Sequence, residues 1–294
     1  MSYVQRLIDL TISFGTGSYG SGTFENVKLS GLRVSATIEK TGIPGFSTAV
    51  VRVYGMTRSL MNRLSTLGRP AIYTRTNQIL LEAGDVSGKV VVFQGIIQDA
   101  WADMQAAPEV FCNIVAFVGL QDQMKPVPPT SFPGNPDAAV IMSGLASQMG
   151  YTFENSGVSV ILAQPYFPGT ARMQAVACAR AANIEMFIDD TNQTLAIWPK
   201  GSSRNGQIPL ISKETGMVGY PAYSGGQQMR VATLYNPAIR FDGQVKVQSS
   251  ITPANGGWTV NKITHRLDSM MPDGDWFTDL EGYHLGLAPS LPTD

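Results

Sequence analysis

Ile8-Asp9-Leu10-Thr11-Ile12-Ser13-Phe14 alternates apolar and polar side chains without a break, the period-2 signature of a strand with one buried and one solvated face. Working outward, Leu32-Arg33-Val34-Ser35-Ala36-Thr37-Ile38 repeats the alternation, and Ala49, Val51 and Val53 continue it. Glycine-rich stretches at residues 15–22 (GTGSYGSG) and 42–45 (GIPG) punctuate these runs, because Gly and Pro supply turn angles that other residues resist. One short helix is expected: Thr57 as cap, Leu60, Met61, Leu64 and Leu67 as its apolar stripe, Gly68 as its stop. Strand pattern then resumes at Ile79, with a long strand over residues 90–103 and another over 110–118.

The composition changes at residues 121–136, where five prolines and several turn formers read as a linker. Asn135, Pro136 and Asp137 then form a helix start, Val140, Ile141, Leu145 and Met149 its stripe, and Gly150 its stop. A second helix over residues 170–182 leads into a hairpin, strands 184–188 and 194–198 around the turn 189–193. From about Gly216 the β pattern returns, with Ile239 and Phe241, Val245 and Val247, then strands over 258–267 and 276–283. The fold class is therefore mainly β with an α/β insert, divided as residues 1–120, 121–205 and 206–284, with a tail at 285–294. The two β regions also share a strand-turn-strand outline. Gly95-Ile96-Ile97-Gln98-Asp99 leads to a strand at Val110, and Lys262-Ile263-Thr264-His265-Arg266 leads to one at Trp276, which raises an internal duplication as one reading and chance as the other.

Charged residues are only 15% of the 294-residue chain, and 21 Lys and Arg nearly cancel 22 Asp and Glu. No basic run exists to release counterions from a nucleic acid. No segment approaches the roughly 20 apolar residues of a membrane helix, and residues 1–14 lack the apolar run of a signal peptide, so a cytosolic origin is expected. Cys112 and Cys178, each in an apolar stretch, read as buried, reduced thiols. No catalytic, cofactor or metal site emerges. His265 and His284 are the two histidines and lack metal-ligand spacing; His265, between Thr264 and Arg266 on a strand, reads as a packed core histidine. Two acidic pairs, Asp189 with Asp190 and Asp273 with Asp275, could serve acid/base work or a hard cation, but both fall in turns, where Asp bonds its own backbone. Gly45-Phe46-Ser47-Thr48-Ala49 keeps only the first glycine of a nucleophile elbow. The glycines of residues 15–22 precede no amphipathic helix that could bind phosphate.

The C-terminal β region carries a denser pattern: Leu234-Tyr235-Asn236-Pro237, Gly243-Gln244-Val245-Lys246-Val247, Gly257-Trp258-Thr259-Val260, His265-Arg266-Leu267-Asp268-Ser269 and Trp276-Phe277-Thr278-Asp279-Leu280-Glu281-Gly282. Together these segments resemble the end of tailed-phage baseplate hub proteins, similar to late control protein D of contractile phages and to the N-terminal part of type VI secretion spike proteins. Val53-Tyr54-Gly55-Met56, feeding the short helix, resembles the same family in the first region. The structural motif residues are Pro237, Gly243, Trp258, His265, Leu267, Trp276, Thr278, Glu281 and Gly282. The resemblance implies two related β-barrel tube domains flanking a small α/β domain, assembled as a homotrimer. Six barrels around one channel would match a sixfold tail tube to a threefold central spike. It implies no enzymatic role and no cofactor. The implied partners are the spike, the tail tube or a tube-initiator protein, other baseplate proteins and the tape measure protein, with DNA passing through the channel unbound. The place is the virion tail baseplate, assembled in the host cytoplasm. The spike and any cell-wall lytic activity are expected to come from other chains. The competing readings are a tail-associated cell-wall hydrolase using an acidic pair, and a tube or distal-tail ring subunit.

Overall fold

The computed structural model describes residues 4–15, 24–42, 45–68, 76–105, 107–189 and 191–284. Most of the loop at 15–22, the centre of the turn at 42–45, Asp190 and the tail at 285–294 therefore lie outside the described residues. The architecture is mainly β. In chain order the first part comprises β1 (Leu7–Gly15), β2 (Phe24–Leu29), β3 (Val34–Thr41), β4 (Thr48–Tyr54), α1 (Arg58–Leu64), β5 (Gln78–Asp85), β6 (Gly88–Asp103) and β7 (Phe111–Phe117). The middle part comprises α2 (Leu120–Met124), β8 (Thr130–Ser131), α3 (Ala138–Met149), β9 (Thr152–Asn155), β10 (Tyr166–Phe167), α4 (Ala171–Ala182), β11 (Ile184–Asp189) and β12 (Thr194–Pro199). The last part comprises β13 (Leu210–Ile211), β14 (Met217–Gly225), β15 (Gln228–Leu234), β16 (Gln244–Val247), β17 (Gly256–Ser269) and β18 (Trp276–His284).

The opening alternation does what its period requires. Ile8, Leu10, Ile12 and Phe14 are buried in one core with Val34, Ala36, Ile38, Ala49, Val51 and Val53. The first and last parts form a single sheet of 13 strands, whose main path is β14-β15-β18-β17-β3-β4-β7-β6-β5-β1-β2. Within it the same five-strand order occurs twice. β3-β4-β7-β6-β5 in the first part matches β14-β15-β18-β17-β16 in the last, with β16 on the edge of β17.

The match extends to register. Ala116 opposes Ala49 and Ile97, as Gly282 opposes Met229 and Val260. Each long strand carries a bulge at the equivalent step, between Ile97 and Asp99 and between Val260 and Lys262. The N–H of Ile97 donates to the Asn77 carbonyl at 2.9 Å, and that of Val260 to the Gly243 carbonyl at 3.0 Å. A bulge adds one residue and bends the strand, so β17 leaves β16 after Thr259 and pairs with β3 from Lys262 onward.

The insert is a wedge. Its three-stranded sheet, β11-β12-β9, is buried on both faces. Ile184, Met186, Ile188, Leu195 and Ile197 belong to the first core with α3 and α4, whereas Phe187, Ala196 and Trp198 belong to the core of the last part. Phe187 stacks on Phe241 with ring centroids 4.4 Å apart.

Three local expectations are corrected. Leu67 lies outside α1, because the helix ends at Ser65 and Thr66 turns to the sheet, its N–H and the Ala100 N–H making reciprocal bonds of 2.8 and 3.1 Å. The cap of α3 is Asp137, whose side chain accepts from the Ala139 N–H; Asn135 and Pro136 precede the helix, and Val140 faces solvent. The proline-rich stretch is tied down: it contains α2, and the buried Gln174 side chain bonds the Thr130 N–H and the carbonyls of Pro128 and Gly169.

Candidate functional site

The motif residues of the last part are spread along β17, β18 and the segments beside them, and those around His265 stand at the junction of the large sheet with the insert. β17 and β18 form its wall because Val260, Ile263, Leu267 and Leu280 alternate inward. His265 sits among them, 2% exposed, its Nδ1 2.9 Å from Thr278 Oγ1 and its ring edge-on to Tyr235 at 5.4 Å. Burial, aided by Lys40, pushes the His265 pKa down to about 3, so the imidazole is neutral at physiological pH. Thr278 Oγ1 also accepts from the Asn236 N–H, which fixes the loop carrying Pro237. Trp276 packs edge-on against Tyr235, Leu267 lies in the first core opposite Trp276, and Trp258 donates from Nε1 to the Ala254 carbonyl at 2.8 Å. Glu281 faces Arg230 and Lys262 on the two neighbouring strands. Of the motif residues, His265 and Pro237 also line the small pocket at the junction.

The electrostatic centre lies on the insert side of this junction. Arg204, whose side chain is fully buried, spans Glu154 and Asp189 with contacts of 2.9 and 3.0 Å. Burial raises the pKa of Asp189, yet Lys40 and Arg204 outweigh it and hold the carboxyl below its ordinary value. Lys40 from β3 donates to Thr191 Oγ1 at 2.6 Å, so a first-part strand grips the insert hairpin. Asp242 behaves oppositely: burial first, then Glu185, pushes it up to about 7. On the other side Arg172 of α4 lies over Phe46 at 3.7 Å and donates to the Gly45 carbonyl at 2.8 Å. Two of the three described carboxylates of the acidic pairs are engaged. Asp189 is held by Arg204 and the Thr191 N–H, and Asp275 by Arg266 at 2.6 Å, while Asp273 stands in the left-handed region of its turn. Cys112 and Cys178 are free and buried, their thiols pushed up to about 11 and about 12 by burial. Among the described residues no group of three His, Cys, Asp or Glu side chains could hold a metal ion. The pocket at the junction, lined by Lys40, Asp189, Thr191, Tyr235 and His265, is about 40 Å³, room for roughly one to three waters.

Residues 8–280 match the protein family described as Baseplate hub gp41. The chain belongs to that family. Its fold is also that of the 43 kDa tail protein of prophage MuSo2 from Shewanella oneidensis, at 9% identity and TM-score 0.58 over 95% of this chain and 96% of that one. A tail protein from Neisseria meningitidis MC58 matches at 9% identity and TM-score 0.61, over 97% and 98% of the two chains. The Escherichia coli c3393 protein, a component of the type VI secretion system, matches at 9% identity and TM-score 0.57, over 89% and 76%. No curated protein matches the chain.

In the hub chain the glycine of the motif that tolerates least is Gly282. A Cβ there would stand 2.7 Å from the Thr259 carbonyl oxygen, opposite the β17 bulge, whereas one at Gly243 would meet the Arg240 carbonyl at 3.1 Å. Gly282→Ala is expected to lower unfolding stability by about 1–3 kcal/mol and Gly243→Ala by less, read as urea midpoints. Equal midpoints for the two variants would show that the β17–β18 contact yields freely.

Sequence reading missed Arg204, Glu154 and Lys40, which lie far apart in the chain and carry no motif. It also missed the β14–β15 hairpin, whose two-residue turn, Gly226-Gln227, has φ of 50° and 65°, although the Gly225-Gly226 pair leading into it is a standard hairpin signal.

Proposed function

We propose that the chain is the structural hub of a phage-tail baseplate, in which three copies form one ring of six related β units around a channel. The single observation that carries this reading is the five-strand order found twice in one chain with matched register. A chain with two equivalent units needs threefold symmetry to make a sixfold ring, so the hub can join a sixfold tail tube to a threefold central spike. Residues 1–120 and 206–284 would each curl into a tube barrel, with residues 121–205 as the wedge between them. The proposed partners are the spike, the tube or a tube-initiator, other baseplate proteins and the tape measure, in the tail of a virion assembled in the host cytoplasm. DNA passes without being held, in keeping with the near-zero net charge of −1 and the lack of a basic stripe. A structural rather than catalytic role is supported by the ion-paired Asp189 and Asp275.

The test is absolute mass by light scattering after size exclusion, at about tens of micromolar, where weak assembly appears. A species of three times the 31.6 kDa chain mass, formed alone or on adding the spike, is the expected result. A hexamer would instead assign the chain to a tube or distal ring. A monomer that ignores the spike would remove the hub reading.

A further inference from the structure

The first β unit and the insert meet around a small cavity of about 20 Å³, lined by Thr41, Ser47 and Val118 on one side and by Arg172, Phe187 and Ile188 on the other. Two of these side chains are polar, buried and incompletely bonded. Ser47 is 4% and Arg172 6% exposed, and neither Ser47 Oγ nor Arg172 Nε has a hydrogen-bond partner among the described residues. The guanidinium cannot swing Nε toward an acceptor elsewhere, because Nη2 is committed to the Gly45 carbonyl at 2.8 Å and the Phe46 ring covers its face at 3.7 Å. Gly119 closes another side: a Cβ there would stand 3.9 Å from Arg172 Nε and 3.3 Å from Ile188 Cδ1. A buried donor without a partner costs more than an ordinary hydrogen bond contributes, and buried polar groups that the chain leaves unmatched are as a rule met by ordered water.

We propose that this cavity binds one water molecule, which accepts from Arg172 Nε and shares a hydrogen bond with Ser47 Oγ, as a fixed part of the joint between the insert and the first unit. Size and polarity agree. A water needs about 10–15 Å³ of such volume and at least two polar partners, and the cavity offers about 20 Å³ and these two groups. Charge agrees as well. Asp122 already opposes the guanidinium charge at longer range, so the partner that Nε requires is a neutral hydrogen-bonding group rather than an anion. The water does at this side of the joint what Lys40 and Thr191 do by direct contact: it ties a residue of the first unit to one of the insert. The inference concerns the single chain and stands apart from the hub reading.

The test pairs a cavity-filling substitution with a direct view of the water. Ser47→Val removes the hydroxyl and fills the space with carbon, whereas Ser47→Ala removes the hydroxyl and leaves room for the water. Ser47→Val is expected to lower the folded-to-unfolded ratio in urea roughly tenfold or more below that of Ser47→Ala, as for a buried donor stripped of its partner. In the parent chain, nuclear magnetic resonance should show a long-lived Overhauser contact between water and Arg172 Hε, kept in Ser47→Ala and lost in Ser47→Val. A dry cavity gives the reverse order, with the better-filled Ser47→Val the more stable variant, and overturns the proposal. A parent chain without the contact overturns it too, and that measurement decides even where Ser47→Val does not fold. Stabilisation by chloride over gluconate at equal ionic strength would assign the site to an anion and overturn the water.

Discussion

Arg204→Ala should lower the unfolding free energy by about 3–5 kcal/mol, the cost of stripping one partner from a buried ion pair. The guanidinium is fully shielded and answers two carboxylates from different elements, Glu154 on β9 and Asp189 at the end of β11. Its loss strands Asp189, whose side chain is 7% exposed, in a medium where an unpaired charge is poorly solvated. Glu154→Gln should cost far less, since that side chain is 25% exposed and water can replace the contact. Urea denaturation at fixed protein concentration measures both, and adding Asp189→Asn to Arg204→Ala should recover part of the loss. A drop below about 1 kcal/mol for Arg204→Ala, as for surface pairs, would mean that the insert is not locked to the rest of the chain through this residue. Because Arg204 follows the insert hairpin and its backbone N–H bonds the Asp242 carbonyl at 2.9 Å, the same variant should loosen the seat of the insert between the two β units.

Asp242→Asn should act in the opposite direction and depend on pH. The carboxyl of Asp242 is raised from 3.8 to about 7, chiefly by burial and then by Glu185. Between those values the folded chain holds a proton that the unfolded chain has lost. The group's contribution is therefore complete below about pH 4 and disappears as pH rises through 7. At about 1.4 kcal/mol per unit, the window spans on the order of 4 kcal/mol. Asparagine cannot ionise, and it suits the φ of 53° at this position because its short amide tolerates the left-handed region. Relative to the parent, the variant should gain stability progressively from pH 4 to 8 and show no gain at pH 4. Parallel stability curves across that range would show that Asp242 is solvated in the folded chain. Two other groups slope the opposite way and cancel in this comparison. The depressed Asp189 contributes stability that is lost as pH falls through its folded value, and neutral His265 contributes stability that is lost as pH falls from 6.5 toward about 3.

Much of the fold was legible because short-range periodicity reports burial directly. The alternation in residues 8–14 and 32–38 became β1 and β3, Thr57 became a cap, the helix over residues 170–182 became α4, and the hairpin around residues 189–193 appeared as β11 and β12. The strands that carry Gly95–Asp99 and Lys262–Arg266 are equivalent, each with a bulge at the same step, but the segments are offset: Lys262 takes the place of Asp99, so residues 95–99 correspond to 258–262. Where reading failed, the deciding contact was distant. Leu67 fits the stripe of α1, yet Thr66 is drawn off the helix by Ala100, 34 residues away. The proline-rich stretch reads as a tether, but Gln174, 44 residues from Thr130, fastens it.

By itself the sequence determined the class of fold, the position of the helical insert and the family resemblance, because hydrophobic period, caps and turn residues act within a few residues of one another. Only the tertiary structure decided that the two β regions join through β17 and β3, that the insert sheet is buried on both faces, and that Arg204, Asp189 and Lys40 meet at one junction. Those outcomes depend on strand edges and buried charges choosing partners from 15 to 151 residues away and farther, and no local pattern of side chains encodes that choice.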